Sequence, residues 1–383
     1  MKNRFATVWG LVLLCLPPAL AGKEPKNESK GLDLTQRYLV SECSDFGNCV
    51  EKVLNPAGAA GYRFVAGDIW EGHDDEDDTE WCWILVVMEK TGEHDTTYQY
   101  VPSPRTQGGL NEAASQGFRL VPRFPVESWV DREGRGGGLA LGGRYENHPC
   151  LLEKPSNSDL RYQYLVFSGV RKFWGGVKDS DLFQKMEEAV DKGYEILKFK
   201  ETAHGYAVVL EKPVGGDSEP LPKLEDASKP AAFPRYRLLS TLWTLPTLKK
   251  ELAAATGYRL VTADLDALEL LLERIPGPSQ SYEYVVPTGR LWSTLEKNIN
   301  EAAAKGFRLH PCSRGFGFVV MERRPVSTAF YQYQILGTLR LSTMRKELAE
   351  AAREGFAVVL AIRHPDPAGQ ALVLERPRGP GEP

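Results

Sequence analysis

Beyond its first residues the chain has no apolar run approaching the roughly 20 residues that a membrane-spanning helix needs, so the mature chain is expected to lack a transmembrane segment. Positive charge is not in excess either. Its 47 Lys and Arg against 51 Asp and Glu leave a formal charge of −4, which gives nucleic acid no electrostatic footprint. Cysteine is scarce, at 6 residues, and neither a Cys-x-x-Cys pair nor a histidine cluster offers a zinc site. The 6 histidines are scattered without a nucleophile or a ligand spacing, so hydrolase chemistry has no visible machinery. No Gly-Lys-Ser/Thr closes the glycine-rich run 134–138, so a phosphate cradle is unsupported. These absences leave a folded chain, 42% hydrophobic, for which no cofactor, metal ligand or catalytic residue is expected.

Residues 1–21 read as an export signal. Lys2 and Arg4 supply the positive start, residues 8–16 the apolar run, and Ala19-Leu20-Ala21 a cleavage site before Gly22. A secreted or periplasmic destination follows. Cys15 lies inside the apolar run, but the bulky Leu14 before it does not suit a lipoprotein signal. An oxidising destination permits disulfides, and Cys43 with Cys49, closing a short loop, is the pair expected. Cys82 with Cys150 is a second possibility that would leave Cys312 unbridged.

Self-similarity organises the rest. A glycine-aromatic dipeptide recurs as Gly61-Tyr62, Gly117-Phe118, Gly193-Tyr194, Gly257-Tyr258, Gly306-Phe307 and Gly355-Phe356. Alanine stands four residues before every one of these glycines, and an apolar residue stands seven before in five copies: Leu54, Leu110, Met186, Ile299 and Leu348. That stripe predicts a helix lying with one face on a core. The fourth copy has Lys250 there, with Leu248 and Leu252 expected to take over its packing. Each glycine suits the C′ position just past a helix, where a left-handed backbone is required. A tyrosine-marked strand precedes each helix, such as Tyr98-Gln99-Tyr100 or Tyr331-Gln332-Tyr333. A hairpin follows, and its closing strand ends in Glu and a basic residue, from Glu89-Lys90 to Glu375-Arg376. Hairpin geometry sets Arg63, Arg119, Arg259 and Arg308 beside Glu89, Glu153, Glu273 and Glu322, predicting an ion pair within each hairpin rather than a catalytic carboxylate. In the third copy Glu195 replaces the arginine and would need another partner. Ser293 with Glu296 fits a capping box at the fifth helix.

The predicted fold is α+β: six β-α-β-β repeats, each a three-stranded antiparallel sheet with one packed helix, in two three-repeat lobes. Copies one and four share Arg37-Tyr38 and Arg235-Tyr236, while copies two and five share Asn111-Glu112-Ala113-Ala114 and Asn300-Glu301-Ala302-Ala303, so a triplet was duplicated whole. Lobe one spans 32–213, a Pro/Gly/charge-rich linker 214–233, lobe two 234–377, and a tail 378–383 is expected to be disordered. The Tyr-x-Tyr strand, the Leu110-Asn111-Glu112 helix, Gly117-Phe118 and the closing hairpin resemble a widespread bacterial family of short β-α-β-β domains with no assigned function. That resemblance implies the fold and no activity.

Everything the copies share has a folding role, so function is sought in what differs. Lobe one carries the insertions. Its candidate binding residues are Trp70, Asp74, Asp75 and Asp77 in an acidic hairpin, Trp129 and Arg135 in the insertion 122–149, and Trp174 before the third helix. The acidic hairpin lacks the glycine and ligand spacing of a calcium loop and reads as a solvated turn. The expected function is non-catalytic binding or scaffolding, with an envelope protein or ligand as partner. The alternative is a hydrolase-type enzyme in a cleft between the lobes.

Overall fold

The computed structural model describes residues 32–74, 79–92, 96–103, 106–122, 124, 150–170, 180–202, 205–214, 235–240, 244–255, 257–264, 269–275, 282–311, 317–324, 329–337, 340–363 and 370–378. It contains six three-stranded antiparallel sheets, and in each the strand that comes third in sequence lies between the first and the second. The first strands are Tyr38–Cys43, Tyr98–Ser103, Arg161–Val170, Tyr236–Ser240, Glu283–Val285 and Tyr331–Leu336. The second strands are Tyr62–Asp74, Arg119–Leu120, Glu195–Thr202, Tyr258–Asp264, Arg308–Leu309 and Ala357–Arg363. The third are Thr79–Lys90, Cys150–Pro155, Gly205–Val214, Glu269–Arg274, Met321–Arg323 and Gln370–Pro377.

The third strands explain how the units assemble. Their apolar residues do not alternate with polar ones but run on, as in Leu270-Leu271-Leu272 and Ala371-Leu372-Val373-Leu374, all fully buried. A strand of this kind is covered on both faces. Successive residues enter different cores. Leu271 packs with Leu182, Met186 and Phe199 of unit three, while Leu270 and Leu272 pack with Tyr284 and Val286 of unit five. Ala371 and Val373 face unit five, and Leu372 and Leu374 face Tyr38, Val40 and Val87 of unit one. The cores therefore lie between units, and the last unit packs on the first.

The helices set the angle. Following the first strands they span Gln107–Ser115, Ser180–Asp191, Leu245–Ala254, Trp292–Ala303 and Leu341–Arg353 in units two to six. In units two, four, five and six the helix lies against the first strand of the next unit, unit six's helix resting on unit one. The second strands of units one and six, and of three and four, meet directly. A helix about 10 Å across, inserted at one end of a sheet two strand spacings wide at about 4.8 Å each, opens a wedge of about 60° between neighbouring sheets. Six such wedges complete a circle. The two triplets read from sequence are thus continuous within one compact unit, Asp33–Pro383.

Each helix stops where its glycine requires. All six recurring glycines have φ between +82° and +89°. In units two, three, five and six the aromatic N–H returns to the alanine carbonyl, as Phe118 to Ala113 at 3.2 Å, and the glycine N–H bonds one residue later, to Ala114 at 2.9 Å. This double closure is a Schellman motif. Leu248 and Leu252 do take over the packing in unit four, both being buried. Unit one's helix is irregular: Phe46–Cys49 and Asn55–Ala59 flank a wider π turn, Val50–Leu54. Cys43 and Cys49 join the end of its first strand to its first helical turn, with Cα atoms 5.5 Å apart. Cys150 is buried in the core between units two and three, the side chain of Cys82 and all of Cys312 lie outside the described residues.

Closure has a direct test. A chain of residues 33–214 would expose Val208 and Leu210 at one end and Leu85 and Val87 at the other. It is expected to aggregate and to lack the cooperative transition of the full chain, as judged by size-exclusion chromatography and circular dichroism. A monomeric, cooperatively melting three-unit fragment would contradict the ring.

Candidate functional site: the unit boundaries and the hairpin face

Polar side chains that repeat along the sequence meet at the boundaries. Between units five and six the main-chain N–H of Leu309 donates to the Tyr333 hydroxyl at 2.9 Å, and that hydroxyl donates to Glu375 at 2.6 Å. Arg308 pairs with the same carboxylate at 2.7 Å while its guanidinium lies 4.3 Å from the Tyr331 ring centroid. Units two and three repeat the arrangement with Leu120, Tyr164, Glu211, Arg119 and Tyr162. Units one and two share part of it: the Phe64 N–H donates to the Tyr100 hydroxyl, and Arg63 pairs with Glu153 beside the Tyr98 ring. The glutamates at these boundaries are buried, so their charge depends on the arginine and, where it reaches, the hydroxyl.

This corrects the ion pairs expected within hairpins. The register is as expected, with Arg63 opposite Glu89, Arg119 opposite Glu153 and Arg308 opposite Glu322. The guanidinium groups nevertheless cross to the next unit, because a tyrosine ring and a buried carboxylate await them there. Only Arg259 pairs with its own hairpin's Glu273, at 2.6 Å. The third copy resolves differently too. Glu195 is exposed to water, and Arg235, from the next unit's own first strand, supplies the cation to Glu273 and stacks on Tyr236. Ala357 occupies the same place in unit six, and Arg37 substitutes likewise on Glu89 and Tyr38. The duplicated triplet is legible here as a change in which unit provides the arginine. The basic residue that ends five of the third strands has a separate role, stacking on its own unit's glycine-adjacent ring, as Lys154 on Phe118 and Arg376 on Phe356.

A second device clamps the strand edge. Asn111 donates to the Tyr164 carbonyl at 3.0 Å and accepts from its N–H at 2.8 Å, copying with one side chain the pairing of a further strand. Asn300 does the same to Tyr333, and Asn55 to Tyr100. The next outward N–H is also taken, that of Val166 by Gln107 and that of Ile335 by Glu296. Glu296 therefore does not close a capping box with Ser293, and the fifth helix has no side-chain cap bond.

Burial pushes the tyrosine hydroxyls up. Tyr38 rises to about 12, through desolvation and then the charge of Glu89. Tyr100, Tyr164, Tyr236, Tyr284 and Tyr333 rise further, desolvation again leading. His310 is buried beside the Leu260 carbonyl at 3.2 Å, and desolvation lowers its pKa.

The connections that carry the candidate binding residues leave from one end of the sheets. Trp70 pairs in register with Trp83 and Asp74 with Thr79, in a two-stranded arm running past the end of unit one's first strand, where Cys43 meets Ile84. The insertion of unit two leaves after Val121 and returns at Cys150, beside Ser103 at the far end of its first strand. That of unit three follows Val170, opposite Gly205 at the start of its third strand. Asp75, Asp77, Trp129, Arg135 and Trp174 themselves lie outside the described residues, as do the segments expected to be an export signal, 1–21, and most of those expected to be a linker, 214–233, and a tail, 378–383. Among the described residues no three His, Cys, Asp or Glu side chains are grouped as metal ligands would be. No helix among them is long and apolar enough to cross a membrane. Compared with known proteins, the chain matches no family model, no curated protein and no solved structure.

Two outcomes test the boundary. Asn111→Ala, which removes both edge bonds, is expected to lower stability by about 1–3 kcal/mol in chemical denaturation, with Asn111→Asp intermediate because it keeps the acceptor. Tyrosines held protonated by the fold contribute stability that is complete below the unfolded value and is lost as pH rises through the folded one. Alkaline titration should therefore leave the fold intact up to pH 10 and weaken it from there towards pH 12, starting at the Tyr38 boundary. Ionisation of all 15 tyrosines by pH 11 with no change in circular dichroism would refute this.

Proposed function

We propose that this is an exported, non-catalytic binding or scaffold protein of the cell envelope. The ring of six units is its rigid frame, and the hairpin face of units one to three is its contact surface. One observation carries the reading: the three insertions of consecutive units all depart from the same end of their sheets, so a single face of the frame receives Trp70, Asp74 and the connections bearing Trp129, Arg135 and Trp174. Long connections clustered on one side of a repeat frame are where such proteins bind. The Cys43–Cys49 bridge agrees with an oxidising destination, secreted or periplasmic. On this reading the units are tandem copies of the bacterial domain that their sequences resemble.

The alternative, a hydrolase with its site between the triplets, draws no support from the boundaries concerned. That between units three and four holds Leu165, Met186, Tyr236 and Leu271, and that between six and one holds Tyr38, Leu85, Leu348 and Phe356, all buried.

The test uses the whole mature chain. Residues 125–149 are replaced by a short Gly-Ser turn in one variant, and in a control the opposite face is altered at 156–159. Immobilised proteins are challenged with envelope extract and the retained species quantified by mass spectrometry. A partner held by the native chain and the control, and lost from the first variant, is the expected outcome. Equal retention by all three would remove the hairpin face from consideration.

A further inference from the structure

The strand-edge asparagine is absent from units three, four and six, where Glu187, Glu251 and Ala349 stand in its place, and a pocket opens beside the second of these. The position six residues before the glycine, held by Asn55, Asn111 and Asn300 in units one, two and five, is Glu251 in unit four. Glu251 turns to Arg237 of its own unit at 3.4 Å. The strand edge it would have clamped is that of unit five at Tyr284. Among the described residues no side chain bonds the outward N–H or carbonyl of Tyr284, or the outward N–H of Val286, two residues on. The pocket at this edge has a volume of about 370 Å³, and its lining includes Tyr284, Val286, Asn298, Glu301, Lys249 and Lys305.

The other boundaries show what this edge accepts. At three of them an amide group lies in the plane of the sheet and exchanges two hydrogen bonds with the equivalent tyrosine, and at two of those a second acceptor takes the N–H two residues further on. Amide groups repeating at two-residue intervals, about 6.7 Å apart, are what an extended peptide offers. We propose that the outer edge of unit five's first strand is a docking site for an extended acidic peptide segment of a partner protein. The partner's main chain takes the place that asparagine fills elsewhere, adding a short strand to the sheet. Lys249 and Lys305 outnumber Glu301 in the pocket lining and favour carboxylates on that segment.

This site lies on the helix-bearing rim and does not depend on the hairpin-face reading. The probe is a terminally blocked five-residue peptide alternating valine and glutamate, added to the isotope-labelled mature chain. Saturable amide shifts are expected at Tyr284 and Val286 and not at Tyr164 or Tyr333, whose edges are clamped. Glu251→Asn installs the missing clamp, and is expected to weaken binding at least 10-fold while leaving the melting temperature equal or higher. Lys249→Glu with Lys305→Glu, which leaves the edge itself intact, should weaken it by a similar factor. Absence of saturable shifts, shifts spread over all six edges, or undiminished binding by Glu251→Asn would each overturn the proposal.

Discussion

A tyrosine hydroxyl is the joint on which this architecture turns. In units one, two, three, five and six it accepts a main-chain N–H from the neighbouring sheet, and in units one, three, four and six it donates to a glutamate of its own. It sits where water would otherwise reach two unsatisfied groups. The N–H that it satisfies lies at the last regular residue of the second strand, and in units one, four and six a bulge follows immediately. The bulge turns the strand just after it has been tied to the neighbour. Apolar packing between units supplies most of the cohesion, but it is tolerant of small rotations. The hydroxyl, the arginine and the asparagine clamp are directional, and they fix the register of one sheet against the next.

Much of this was legible in the residues, and what was missed has a common cause. The glycine at positive φ, the alanine beneath it and the strand order follow from local geometry, so Gly61 through Gly355 and their helices could be read directly. The Cys43–Cys49 bridge is equally local. Partners across a boundary were not legible, because sequence register places Arg119 beside Glu153 and says nothing of a third strand arriving from the next unit with Glu211. A signal for closure was nonetheless present. Runs such as Val319-Val320-Met321 and Ala371-Leu372-Val373-Leu374 have no polar face to offer water, and in unit six that requires a neighbour beyond the last repeat. The asparagine recurring six residues before three of the glycines was a second signal, since a buried amide needs an edge to bind.

The same features separate frame from surface. Glu153, Glu211, Glu273 and Glu375 are buried and paired, which accounts for the most suggestive carboxylates in the chain as parts of the scaffold. Variation is concentrated where the frame does not constrain it, at the connections leaving the hairpin end and at the rim of unit five, where Glu251 has replaced an asparagine.

Closure also bears on how such a molecule resists unravelling. Linear repeat arrays need specialised end modules with a polar outer surface, and they fray from those ends. Here the sixth module is the first module's neighbour, with Arg345 bonding the Val40 carbonyl at 2.9 Å, so no module is terminal. Detaching any one of them breaks two interfaces instead of one. Joining residue 33 to residue 378 and opening the chain at a link between modules, such as 156–160, would leave every core between modules in place.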